Sequence, residues 1–119
     1  MKAKGDRAED AVVDYLVTRG FEILARNVRL GALEIDVVAR MGELAAIVEV
    51  RMRGAGAFTR GLESVDAKKR ARVVRAAERL WRQKLSKMPG IERVRIDVAS
   101  VTFEGTSTHV EYIEAAFTA

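Results

Sequence analysis

Four charged residues stand where apolar ones would be expected. They are Glu34 and Asp36 in the run Leu33–Arg40, and Glu49 and Arg51 in the run Leu44–Met52. Both runs read as strands, and side chains alternate across a strand, so residues two apart share a face. Glu34 and Asp36 are therefore expected to project together, opposite Leu33, Ile35 and Val37, while Glu49 and Arg51 project opposite Val48, Val50 and Met52. Charge in an apolar strand is costly unless it is paired or coordinated. A hard divalent cation suits such a site, because Mg²⁺ takes oxygen ligands and needs only one or two carboxylates. The chemistry it supports is phosphodiester hydrolysis, by acidifying a bound water and stabilising charge on the phosphate. The ordinary alternative is a solvated edge strand with a structural Glu49–Arg51 ion pair. On spacing alone, that alternative is the stronger.

These strands need elements to hold them. Residues 6–19 predict an amphipathic helix, with Ala8, Ala11, Val12, Tyr15 and Leu16 on one face, Asp6 at its start and Gly20 at its end. Phe21–Val28 predicts a first strand. Met41-Gly42 separates the second and third strands, which are expected to form an antiparallel hairpin. Residues 53–63, with Gly54, Gly56 and Gly61, read as a loop. A long helix from Ser64 or Asp66 to about Lys87 follows, with Val73, Ala77, Leu80 and Trp81 on its apolar face and Pro89-Gly90 beyond its end. Glu92–Phe103 and His109–Ala116 complete the order α-β-β-β-α-β-β. Asp97, mid-strand between Ile96 and Val98, is read as solvent-facing.

The chain has 119 residues, 49% hydrophobic and 32% charged, which fits one globular domain. Absence of cysteine excludes disulfides and thiolate metal sites, and the single histidine, His109, makes zinc and triad chemistry improbable. The charged N-terminus leads into no apolar run of signal or membrane-spanning length, so a cytoplasmic location and no membrane association are expected. The net charge of +4 is unevenly spread. Residues 66–95 carry 11 basic and 3 acidic side chains, whereas 96–119 carry 4 acidic and no basic ones. Lys68, Arg72, Arg75, Arg79 and Arg82 recur at helical spacing as a cationic stripe. Such a stripe suits a polyanion, nucleic acid first, or else is the wet face of a packed helix. Lys68, Lys69 and Arg72 lie in the first turns, where the helix N-terminus also favours anions. Arg53 and Arg60 flank the glycine-rich loop.

Asp36, followed on the next strand by Glu49-Val50-Arg51, resembles the D…(D/E)-x-K core of the restriction-endonuclease-like superfamily. The likeness is closer to the YraN family of small bacterial proteins, predicted to be nuclease-like. It runs through Gly5-Asp6-Arg7-Ala8-Glu9, the stretch Gly20 to Asn27, Glu34-Ile35-Asp36-Val37-Val38-Ala39, Val48 to Arg53, Lys68-Lys69-Arg70 and Ile96-Asp97-Val98. The resemblance implies that Asp36 and Glu49 hold Mg²⁺ or Mn²⁺, with the Val50 carbonyl as a further oxygen. It implies that Glu9 reaches the site from the first helix, that Glu34 belongs to a Gly-Glu-Ile-Asp motif, and that Lys69 is a basic position on the second helix. The layout is also similar to archaeal Holliday junction resolvases, which act as dimers on branched DNA. Two residues depart from the pattern: Leu33 replaces the motif glycine, and Arg51 replaces the lysine. Arginine stays protonated and cannot serve as a general base.

The expectation is therefore one α/β domain over residues 1–119, of the restriction-endonuclease-like class, with a mixed central sheet flanked by helices. Its expected activity is that of a metal-dependent endonuclease on branched or structured DNA. Glu9, Glu34, Asp36, Glu49 and Arg51 would form the catalytic set, with DNA contacts at Arg53, Lys68, Lys69 and Arg72, in a possible homodimer. The alternatives are a cleavage-deficient DNA-binding module of the same fold, favoured by Arg51, and a protein-interaction domain using the basic helix.

Overall fold

Apolar spacing on the first helix is met by burial: Ala8, Val12 and Leu16 are sealed against the sheet. The computed structural model describes residues 4–53 and 67–117. Helix α1 spans Lys4–Thr18 and is followed by strands β1 (Glu22–Leu30), β2 (Leu33–Met41) and β3 (Leu44–Arg53). Helix α2 (Ala67–Gln83) leads through a 3-10 turn at Leu85–Lys87 to β4 (Arg93–Glu104) and β5 (Ser107–Phe117). The glycine-rich loop and Arg60 lie outside the described residues. The order α-β-β-β-α-β-β is the one the sequence predicts.

The five strands form one mixed sheet in the order β1-β2-β3-β4-β5. All neighbours are antiparallel except β3 and β4, which run parallel from Leu44↔Arg93 to Arg53↔Thr102. A parallel pair needs a crossover, and α2 lies within it. The α/β class expected from the sequence, helices flanking a mixed central sheet, is the one observed. Helix α1 covers one face, packing on Val37, Ala39, Ala46, Val48, Ala99 and Val101. Helix α2 covers the other, where Val73, Ala76, Ala77 and Leu80 meet Ile35, Val38, Ala45, Ile47, Ile96 and Val98. With both faces covered, β3 is apolar and buried from Leu44 to Val48. That makes Glu49, 6% exposed, conspicuous. Among the described residues no helix is long and apolar enough to cross a membrane.

Two expectations need correction. Asp97 is not solvent-facing but fully buried, at 0% exposure. Its carboxylate accepts hydrogen bonds from Arg95 Nε and Nη2 (2.8 and 2.9 Å), the Tyr112 hydroxyl (2.6 Å) and the Ala115 amide (2.8 Å). These bonds pin β5 where its pairing with β4 shifts register between Ile96 and Val98. Alternation alone predicts a face, and that face is covered by α1. The second correction concerns β2. Ile35 packs in the α2-side core but Val37 in the α1-side core, so alternation breaks across Asp36 and the two residues do not share a face.

Candidate metal and phosphate site

The break at Asp36 is what builds the site. Pairing of β2 with β3 runs from Met41↔Leu44 only as far as Val37↔Val48, whereas β3 stays paired with β4 to Arg53. Beyond Val48 the two strands fork. In the fork, the Val50 amide donates to Asp36 Oδ2 at 2.8 Å instead of to a β2 carbonyl. Amide and carbonyl of one strand residue point the same way, so the Val50 carbonyl also faces the fork.

Glu49 projects on the α2 side, where Lys69 Nζ lies 2.8 Å from its Oε1. Asp36, Glu49, Glu34, Lys69 and Arg72 line a cavity of about 210 Å³ on that side. Asp36 and Glu34 also line a second cavity, of about 310 Å³, on the α1 side, together with Asp6, Glu9, Asn27 and Val50. Asp36 thus stands between two openings. Burial, and then the negative charge of Glu49, push the Asp36 carboxyl up to about 7; Glu34 adds to the rise and the Val50 amide opposes it.

Glu9, on α1, is 7% exposed. Its Oε1 accepts hydrogen bonds from Arg26 Nε (2.7 Å) and Asn27 Nδ2 (3.1 Å). Glu34 is exposed and pairs loosely with Arg29 at 3.6 Å. Arg51 falls on the Glu49 side of β3, in register with Ser100, and lines neither cavity. Lys68, Lys69 and Arg72 lie on the first turns of α2 and are exposed. Arg79 is tied to the fold, donating to the Leu30 carbonyl at 3.1 Å. Arg53 ends β3, and its side chain lies outside the described part.

The family described as "Uncharacterised protein family UPF0102" matches residues 8–101. The chain belongs to the UPF0102 family. UPF0102 is the YraN family that the sequence resembles. A UPF0102 protein of Sorangium cellulosum is 61% identical over 118 residues, covering 98% of this chain and 81% of that one. One from Anaeromyxobacter dehalogenans is 40% identical over 117 residues (98% and 84%), and one from Nitratidesulfovibrio vulgaris is 35% identical over 116 residues (97% and 84%). The solved structure of Pyrococcus furiosus SfsA in complex with Ca²⁺ aligns with a TM-score of 0.43 and 14% identity, over 92% of this chain and 62% of that one, which is less than two thirds of its length.

In this UPF0102 chain, then, Asp36 and Glu49 meet at the fork, with Val50 between them and Glu34 at the rim. Among the described residues no three His, Cys, Asp or Glu side chains form a metal cage, so a cation would rely on two carboxylates and a carbonyl. The contacts of Lys69 with Glu49, and of Arg26 and Asn27 with Glu9, carry almost no signal in the sequence. The first was legible only as a basic residue at a helix start. The second had one signal, an Asn in a strand, a residue type that tolerates a left-handed backbone.

Proposed function

We propose that this chain is a nuclease-like protein that uses Mg²⁺ or Mn²⁺ to hydrolyse phosphodiester bonds in branched or otherwise structured DNA. The observation that carries this reading is the meeting of Asp36, Glu49 and Lys69 at the fork between β2 and β3. The donor set fits a hard divalent cation: it is all oxygen, Glu49 is buried and Asp36 half-buried, and its crowded negative charge is what a cation would relieve. When bound, the cation supplies a more acidic water and charge stabilisation at the phosphate.

Asp36 and Glu49 hold that cation, with the Val50 carbonyl as a further oxygen. Glu9 and Glu34, which line the α1-side cavity with Asp36, orient water. Lys69 adds a second cation to the site beside Arg51. Its ammonium already lies against Glu49, and it counters charge developing on the phosphate. Arg51 contacts the phosphate as a fixed cation. Lys68 and Arg72, with Arg53, hold the DNA backbone.

Incubation of the chain with four-way-junction and flap DNA in Mn²⁺ tests the proposal. Nicking that disappears in Asp36→Asn is the expected result; failure to nick any structured DNA refutes it. One observation favours a second reading: Arg51 stands in the lysine position of the motif, which suits a module that binds DNA without cutting. Steeply salt-dependent binding with no nicking identifies that case.

A further inference from the structure

We propose that Arg26 and Asn27 are positioning residues that hold one oxygen of Glu9 so that the other is presented to the α1-side cavity. This rests on the nuclease reading above. Arg26 spans two carboxylates, with Nε on Glu9 Oε1 and Nη2 on Asp10 Oδ1, each at 2.7 Å. Asn27 adds its amide to the same Glu9 oxygen at 3.1 Å. The hydrogen bonds of Glu9 among the described residues all converge on Oε1.

Consecutive residues of a regular strand point to opposite faces, so Arg26 and Asn27 cannot both reach Glu9 from one. Asn27 resolves this with φ of 51°, in the left-handed region where Asn is tolerated but still costs roughly 1 kcal/mol. It sits between the register pairs Arg26↔Val37 and Val28↔Ile35, directly across from Asp36. The irregularity of β1 therefore faces the irregularity of β2. A simple staple of α1 to β1 needs only Arg26. The strained backbone at Asn27 brings in a neutral amide on Glu9, and Asn27 lines the cavity beside Glu9, Glu34 and Asp36. The guanidinium offsets the charge of Glu9, so the carboxylate stands in an acidic cavity without its full repulsion.

Asn27→Gly removes the amide but keeps the backbone conformation. It is expected to lower Mn²⁺-dependent nicking of junction DNA by about tenfold, the usual scale for a group that orients a site residue, with DNA affinity and melting temperature unchanged. In a Glu9→Met background, which removes the acceptor, the same change is expected to add nothing. Arg26→Lys keeps the charge but loses the fork, and is expected to show the same non-additivity. In the metal-free chain, the Arg26 Nε–H is expected to be protected from solvent exchange, with that protection lost in Glu9→Met, which has no acceptor oxygen. Wild-type nicking with an indifferent Asn27→Gly, an additive double variant, or Arg26 protection untouched by Glu9→Met each overturns the positioning role alone. A wild-type chain that neither binds Mn²⁺ nor nicks overturns the nuclease reading and this inference with it.

Discussion

Asp36→Asn is expected to abolish cation binding and, in the absence of metal, to stabilise the fold. The Asp36 carboxyl rises from 3.8 to about 7 on folding, so the folded chain holds its proton more tightly than the unfolded one. Between those values the native state binds more protons, and stability falls as pH rises. The penalty is absent well below pH 4 and complete above pH 7. Were the group sealed, a rise of that size would correspond to roughly 4 kcal/mol; the two cavities admit solvent, which reduces the expected penalty to about 2 kcal/mol. Asparagine keeps an oxygen for the Val50 amide and carries no charge. At pH 8 with chelator the variant is therefore expected to melt about 8 °C above wild type, with the difference vanishing near pH 4. Adding Mn²⁺ at pH 8 should raise the melting temperature of wild type only. Thermal melts of both proteins from pH 4 to 8.5 provide the assay. Identical melting temperatures at pH 8, or a gap that widens toward acid, would refute the account of Asp36.

Three further outcomes follow. Lys69→Met removes the ammonium beside Glu49 and is expected to keep or tighten Mn²⁺ binding, read by titration calorimetry, while reducing nicking at least tenfold; Lys69→Arg should restore less than half of it. Tyr112→Phe deletes the 2.6 Å hydrogen bond to buried Asp97 and is expected to cost about 2 kcal/mol in urea unfolding, with cation binding unaffected. Lys68→Ala with Arg72→Ala is expected to lower the dependence of log DNA affinity on log salt by nearly two, whereas Arg79→Ala, whose side chain holds Leu30, should change stability more than the salt slope.

The sequence carried the element order because each element has a strong local signal. Examples are the Ala8–Val12–Leu16 stripe, the Met41-Gly42 turn and the apolar run of β3. The carboxylates of the site were legible too, because charge inside apolar strands demands a partner. Their geometry was not. Alternation put Asp36 on one face with Glu34 and opposite Ile35 and Val37, and no pattern of residue types signals that the ladder stops at Val37↔Val48. Asp97 failed for a related reason: a strand pattern predicts which way a side chain points but not what covers it. Lys69 needed the packing of α2 on β3, a contact between segments twenty positions apart, before its neighbour could be known.

The hydrogen bond from Val50 to Asp36 has one further consequence. An amide in a sheet ladder has a backbone carbonyl as its acceptor, and that acceptor does not titrate. The acceptor of Val50 is a carboxylate, so its nitrogen and proton resonances should move whenever that oxygen gains a proton or a cation. The fold thus contains its own spectroscopic reporter, one backbone signal in which the state of the site can be read without substrate, label or activity.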